Sequence, residues 1–518
     1  VSQPNRPSPS RSKPKPRVAV YGDACLDVSV RRDDFRPTQE DATVKVFPAA
    51  ETADDALSIP GGAANLAANL AALGCDVTLY APWPDGPDGD HAGRVLRDRL
   101  VAAGVYVVPH GVSDRTTVKT RYYAGTRLAA RVDADGKVTE YHGPPLADGP
   151  YDAVVLSDYG KGAFPHGAAC SDWGRMAGLA FADPYPGRAG VWAGAALDTL
   201  VVNWHEAEDV LSSVSVRNPP ARGPHTDDAT AALYAAGVAE VFREARTVVV
   251  KRGAAGSTVF PPGTQNRQTR HVRAHHPARV FDAQGAGDTY LAAYVTGRLR
   301  GLDETAACSY ASIAAGVVVG KPGTAVVTSR EVVEAGLVGV AGRRGSVFAA
   351  AGDAVALARH QAAWGVVIGY TNGCFDGRLH AGHRKVLAAA AARCDLLFVG
   401  VDSDARVRAL KGPGRPVVPQ AERAEAVAAV AGVGVAFVFD EDPAAVLAAL
   451  DPDYLFKGGD YTRESMPEIA ASGWGGEFVR VDSVPGESTT AFLAAVAARP
   501  PECPPDGCSK GREVRRPV

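Results

Sequence analysis

Two groups of residues in this chain have the types and spacing of phosphate chemistry. Gly285-Ala286-Gly287-Asp288 follows a short extended stretch and precedes Leu291, Ala292, Val295 and Leu299, an apolar stripe at helical spacing that ends near Gly301. The three small residues therefore lie at a helix N-terminus, where free amides and the positive end of the dipole can hold a phosphoryl group. Asp288 stands where a carboxylate could take the proton of an attacking hydroxyl. An ordinary helix start with an acidic first turn has the same four letters, so these residues alone leave both readings open. About a hundred residues later, Thr371-Asn372-Gly373-Cys374-Phe375-Asp376 runs into Leu379-His380-Ala381-Gly382-His383. His380 and His383 fall three apart, between a strand at Val366–Tyr370 and a helix marked by Val386, Leu387, Ala390 and Ala391. Two imidazoles and helix-end amides can stabilise charge on an α-phosphate under attack, with no covalent step. No third ligand follows at a recognisable spacing, which argues against zinc.

Further residues extend both groups. Gly61-Gly62-Ala63-Ala64-Asn65 opens a second helix, with Leu66, Leu70 and Leu73 on one face and Gly74 as its stop. Asp27 lies just after a first strand at Val18–Tyr21, a place from which a carboxylate can chelate sugar hydroxyls. Asn203-Trp204-His205-Glu206 follows a strand as well. Lys119, Arg121, Arg127 and Arg131 can bind a distal phosphate or form a solvated basic strand, and the sequence does not choose. The chain has no GxxxxGK[ST] motif, which excludes a P-loop kinase.

The elements that must position these residues follow an α/β rhythm. Val77–Tyr80, Ala153–Leu156, Thr199–Val202 and Thr247–Val250 are short apolar runs of the buried parallel kind, separated by helical stretches. Val44–Phe47 and Thr116–Tyr123 read as strands outside that rhythm, in a small accessory sheet. The rhythm loosens over 329–362, a linker region, and restarts at Val366-Val367-Ile368, with strands at Leu396–Val401, Ala436–Phe439 and Tyr454–Lys457. Residues 1–17 and 499–518 are rich in Pro and charge and are expected to be disordered tails.

At 518 residues the chain exceeds one ordinary core. Its 46% apolar and 22% charged residues are those of a soluble protein. A net charge of −3 gives no reason to expect a nucleic-acid partner, and no apolar run is long enough to span a membrane. The N-terminal stretch lacks the apolar segment of a signal peptide. Eight scattered cysteines show neither CxxC nor zinc spacing, which fits reduced thiols in a cytoplasmic protein without a structural metal.

With these residues in view, 18–328 resembles the ribokinase (PfkB) family of sugar kinases. The resemblance implies a doubly wound α/β domain with a small β lid. It places sugar contacts at Asp27, Gly61, Gly62 and Asn65, and a magnesium–phosphate motif at Asn203 and Glu206. It places the anion hole at Gly285, Ala286 and Gly287, and the catalytic base at Asp288. Ser157-Asp158-Tyr159-Gly160-Lys161-Gly162, Thr117-Val118-Lys119-Thr120-Arg121 and Ala314–Lys321 resemble the heptose-phosphate branch, so Lys119, Arg121, Asp158 and Lys161 are expected near the sugar phosphate. Trp204 and His205 replace Leu-Ser inside the Asn-x-x-Glu motif and leave its two ligands intact.

Residues 366–497, in a domain expected over 363–498, resemble the cytidylyltransferase-like superfamily, which implies a Rossmann-like α/β fold. His380 and His383 are the implied catalytic pair. Lys411, Arg423, Ser488, Thr489 and Thr490 are implied on the nucleotide, and Lys457 and Asp460 on the substrate. One departure stands out: two residues, Gly377 and Arg378, separate Asp376 from Leu379 where the family has one. Gly377 is expected to absorb the extra residue in a tight turn. If it does not, His380 is displaced and adenylyl transfer suffers.

Together the halves resemble the bifunctional D-β-D-heptose 7-phosphate kinase/D-β-D-heptose 1-phosphate adenylyltransferase family. The resemblance implies sugar phosphate and nucleoside triphosphate as substrates, ATP with Mg2+, and room for a monovalent cation. A homo-oligomer is left open. So are another sugar, CTP or GTP in the second half, and a second half impaired by the insertion.

Overall fold

The computed structural model describes residues 15–32, 36–37, 45–46, 56–84, 89–124, 127–142, 151–164, 177–185, 192, 194–213, 227–261, 269–275, 280–341, 346–363, 366–377, 379–459 and 461–482. Arg378, Asp460, Ser488, Thr489 and Thr490 lie outside these residues, as do most of the expected first tail and all of the second. The described residues fall into two compact units. One runs from Ser12 to Val340 and takes in His360–Val366. The other holds Ala341–Arg359 and the chain from Val367 onward.

The first unit is built on a ten-stranded sheet. Its central strands, in spatial order, are Val105–Ser113, Asp76–Pro84, Arg17–Gly22, Tyr151–Ser157, Ala177–Asp183, Thr199–Asn203 and Thr247–Lys251, all parallel to their neighbours. Antiparallel strands complete both edges. Both faces are covered, which is why these strands read as unbroken apolar runs. Val18, Val20, Val155, Val201 and Val249 face one core with the helices Ala63–Ala72, Ala286–Leu299 and Glu304–Val319. Tyr21, Val154, Leu156, Val202 and Val250 face the other, with the helices Trp204–Ser213 and Asp228–Val241.

A separate four-stranded sheet is ordered Ala56–Gly62, Ala24–Arg32, Thr117–Ala124, Arg127–Ala134. In Thr117–Ala124 every second residue is buried, and Lys119 and Arg121 lie on that buried side. These two cations therefore do not form a solvated face, whereas Arg131 is exposed and paired with Asp133. Of the expected strand at Val44–Phe47, the described residues Lys45–Val46 pair with Arg36–Pro37 outside the four-stranded sheet, and Val44 and Phe47 lie outside the described residues.

The second unit is a six-stranded parallel sheet ordered Ser346–Phe348, Val435–Phe439, Leu396–Asp402, Ile368–Gly373, Tyr454–Gly458, Glu477–Val481. From Ile368–Gly373 the chain winds first one way and then the other. The strand order therefore reverses between that strand and Tyr454–Gly458, the place where such sheets bind ligands. Residues 329–362 carry the helices Ser329–Ala341 and Ala351–Ala363 and the strand Ser346–Phe348. Three residues are too few to show a period, so that strand is silent in the sequence. Among the described residues no helix is long and apolar enough to cross a membrane.

Candidate active sites

In the first unit the carboxyl ends of the parallel strands converge on the start of the helix Ala286–Leu299. Gly285 caps that helix with φ 70°, a conformation that favours glycine. A Cβ there would lie 2.7 Å from Thr324 Cγ2 and 2.8 Å from Asn65 Nδ2. The backbone thus meets its neighbours at a distance only glycine allows, and the amides of 285–287 stay uncovered by a side chain at the helix end.

Asp288 sits in the first turn, 7% exposed. Asn65 Nδ2 donates to its Oδ2 at 2.9 Å, and the Tyr159 hydroxyl donates to its Oδ1. Burial pushes the carboxyl up to about 6, while the Asn65 and Tyr159 hydrogen bonds pull the other way. Such a group is ionised at neutral pH and basic enough to accept a proton. Asn65 is itself oriented by Asn69, whose amide donates to Asn65 Oδ1 at 3.0 Å.

Asp27 accepts from Arg121 Nη1 and from Thr324 Oγ1, both at 3.0 Å. A Cβ on Gly61 would meet Asp27 Oδ2 at 2.6 Å, so glycine is required beside that carboxylate. Gly62, with φ 59°, lies against the Tyr159 ring and the Asp23 carbonyl. The Lys119 ammonium lies 4.9 Å from the centroid of the Tyr159 ring. Lys161 reaches outward to Asp135 at 2.6 Å. Asp158 is placed otherwise than expected. Its oxygens accept from the Gly160 amide and the Trp192 indole, so it shapes the turn after its strand.

Asn203 and Glu206 hold each other. The Asn203 amide donates to Glu206 Oε2 at 2.6 Å, its side chain donates to Oε1, and the Glu206 amide returns a bond of 2.9 Å to Asn203 Oδ1. Burial, and then the nearby Asp183, raise the Glu206 carboxyl to about 8.

Four residues here escaped the sequence reading of the site: Asp23, Tyr159 as a partner of Asp288, Asp183 and Lys251. The Asp23 carboxylate accepts from the amides of Tyr159, Lys161 and Ala163 at 2.9, 3.0 and 2.7 Å, and so folds the loop that delivers Tyr159. Lys251 Nζ donates to Asp183 Oδ2 at 2.9 Å. The available signal was topological: Asp183 and Lys251 each end a parallel strand, facing the crevice.

In the second unit, His380 caps the helix Ala381–Ala391, and its Nδ1 accepts from the Gly382 amide at 3.1 Å. The His383 ring stacks on it, with centroids 3.8 Å apart, and Phe375 packs on His383 at 5.1 Å. Burial, and then His380, lower the His383 imidazole to about 4, so it is neutral at pH 7. Its Nδ1 has no partner among the described residues. Gly377 has φ 83° with open space where a Cβ would stand. Arg378, the other residue of the insertion, lies outside the described residues, and His380 and His383 stand together at the helix start.

Lys457, in the strand next to Ile368–Gly373, donates to Asn372 Oδ1 at 2.7 Å and approaches Glu468 at 3.5 Å. It therefore lies at the point where the strand order reverses. Burial draws its ammonium below the usual lysine range, with Glu468 opposing. Lys411 is exposed in the last turn of Asp404–Lys411. Arg423 departs from the expected phosphate contact. It is 1% exposed, and its guanidinium donates to the carbonyls of Val418, Cys374 and Asp402 and to the Asp404 carboxylate. With four of its five N–H donors spent on protein, it braces the loops beside the histidines. Asp376 does the same from the other side, accepting from Arg415 and from the amides of Val417 and Val418 at 2.8 and 3.0 Å.

The strand orders define a doubly wound α/β unit carrying a small β lid and a second, Rossmann-like α/β unit. Residues 192–330 match the model of the pfkB family of carbohydrate kinases, and 370–481 match the cytidylyltransferase-like model. The bifunctional protein HldE of Hyphomonas neptunium (strain ATCC 15444) is 37% identical over 497 residues, 92% of this chain and 96% of its own. Its namesake in Halorhodospira halophila (strain DSM 244 / SL1) is 36% identical over 504 residues, 93% of this chain and 98% of its own. The ribokinase of Cryptococcus neoformans var. grubii serotype A, solved with ADP, is 21% identical with a TM-score of 0.46, over 62% of this chain and 99% of its own. The chain belongs to the family of bifunctional HldE proteins.

Proposed function

We propose that the chain activates a heptose through two non-consecutive reactions. The kinase half, residues 18–328, transfers the γ-phosphoryl group of ATP to O1 of D-glycero-β-D-manno-heptose 7-phosphate. Asp288 takes the proton of the O1 hydroxyl as that oxygen bonds to phosphorus, and ADP leaves with the electron pair of the broken bond. The amides of Gly285, Ala286 and Gly287 hold the phosphoryl group. Asp27, Gly61, Gly62 and Asn65 orient the sugar, and Lys119, Arg121 and Lys161 supply charge for its 7-phosphate.

Two half-buried acids, Asp183 and Glu206, stand at this edge, and Glu206, held up at about 8, is largely protonated at neutral pH, a state that a divalent cation beside it would shift toward the ionised form. The described residues contain no cluster able to hold a metal by themselves. That donor set fits Mg2+ bound mainly by phosphates and water, with Asn203 and Glu206 alongside, where it would neutralise phosphate charge.

The transferase half, residues 363–498, joins heptose 1-phosphate to AMP from ATP and releases pyrophosphate. The sugar phosphate oxygen attacks the α-phosphorus while His380 and His383 steady the charge that develops there. Lys457 and Lys411 are the cations for the phosphates. A phosphatase-class reaction must remove the 7-phosphate between the two steps.

The observation that carries this reading is the pairing, in one chain, of a buried base at an amide cradle with two stacked histidines at a helix start. The test is turnover of heptose 7-phosphate and heptose 1-phosphate with each of the four NTPs, read by mass spectrometry. Heptose bisphosphate from the first and ADP-heptose from the second are expected. A nucleotide-sugar formed only with CTP or GTP overturns the adenylyl assignment, and no ADP-heptose at all overturns the second half of the reading.

A further inference from the structure

Lys251 is the last residue of the strand Thr247–Lys251 and stands opposite Asn203 in the parallel register. Its side chain is 12% exposed and its ammonium makes an ion pair with Asp183. A Cβ built on Gly287 would lie 3.6 Å from Lys251 Nζ. The ammonium is therefore beside the third amide of the cradle at the start of Ala286–Leu299. An ammonium has three donors, and among the described residues Lys251 gives one, to Asp183. Asp183, Glu206 and Asp288 all act on its charge. Burial works against that charge, but Asp183 and then Glu206 outweigh it and hold the ammonium above the usual lysine range. A desolvated, permanently charged group with donors to spare is poised for an anion.

We propose that Lys251 is a catalytic residue of the kinase half, donating to the phosphoryl group in transfer and to the oxygen on which ADP leaves. This rests on the kinase reading above. The sugar hydroxyl forms the new P–O bond, its proton passes to Asp288, and the bond to the β-phosphate oxygen breaks with its electron pair on ADP. Lys251 stays protonated throughout. Asp183 sets the height of the ammonium beside Gly287, so Lys251 meets charge that the phosphoryl group gains only as the bond breaks.

The test compares the parent chain with Lys251→Met and Lys251→Arg. Sugar-dependent ADP formation is measured with heptose 7-phosphate and MgATP, and binding is measured for ADP alone and for ADP with aluminium fluoride, a mimic of the phosphoryl group in flight. Lys251→Met is expected to lower kcat about 100- to 1000-fold with KM for the sugar within about threefold. It should also weaken the fluoride complex at least about tenfold while ADP binding holds, which shows that the unit is folded. Lys251→Arg should recover part of kcat. Equal loss of ADP binding and of the fluoride complex, or kcat within about threefold of the parent, overturns the proposal. If the parent itself makes no ADP with this sugar, the substrate reading fails instead, and the fluoride comparison still decides Lys251.

Discussion

The phenolic hydroxyl of Tyr159 donates to the carboxylate of Asp288, 129 residues away in the chain. The bond stabilises the ionised carboxylate, whose other oxygen accepts from Asn65. Tyr159 therefore acts through Asp288 as a positioning residue. Removing the hydroxyl leaves burial less opposed, so the base should titrate above its present value of about 6. For Tyr159→Phe, the acid limb of the kinase kcat/KM profile should move to higher pH, with turnover at pH 6 falling more than at pH 8. An unmoved acid limb would show that the bond does not tune the base.

Asp288→Asn and His383→Ala should separate the two chemistries. The first should remove kinase turnover by about 1000-fold or more and leave adenylyl transfer within about twofold. The second should do the reverse. Loss of both activities from either change would argue against two independent sites.

His383 carries a further expectation. Burial and His380 hold it near 4 against an ordinary 6.5. Between those values the unfolded chain binds a proton that the native chain does not, so this residue's contribution to stability rises with pH through that window. Its imidazole resonances should report the neutral form down to about pH 4. Titration near 6.5 would show that the stacked, buried pair is not present in solution.

Asp23 accepts three amides of the 159–163 loop while 5% exposed. Asp23→Ala should destabilise the kinase unit by about 2–4 kcal/mol, since buried amides lose their acceptor. Denaturant melts measure this. The same change should cost kinase activity and spare the transferase.

Arg423 and Lys411 make a contrasting pair. Arg423→Met leaves buried carbonyls and Asp404 without their donor, and should lower the transferase unit's stability by about 3 kcal/mol or more. Lys411→Ala should leave stability within about 0.5 kcal/mol and raise KM for the nucleotide. Melts and steady-state kinetics on the two variants distinguish a brace from a phosphate contact.

Local sequence determined those parts of both sites whose physics is local. A glycine-rich helix start exposes amides wherever it occurs, so Gly285–Gly287 and Asp288 were legible from one short stretch as a candidate cradle, though the same letters fit an ordinary helix start. So were His380 and His383, because a strand, a turn and an apolar helical stripe frame them within about twenty residues. The apolar runs also announced a parallel sheet, because strands buried on both faces cannot alternate. Tertiary structure alone decided what surrounds those motifs. Tyr159, Asp183 and Lys251 reach the cradle only because separate strands end on the same edge of one sheet, and nothing in their own neighbourhoods marks that edge. The same dependence on distant partners turned Arg423 inward and Asp158 into a turn residue. A charged side chain is solvated, catalytic or structural according to which acceptors folding brings to it, and those acceptors lie far away in the chain.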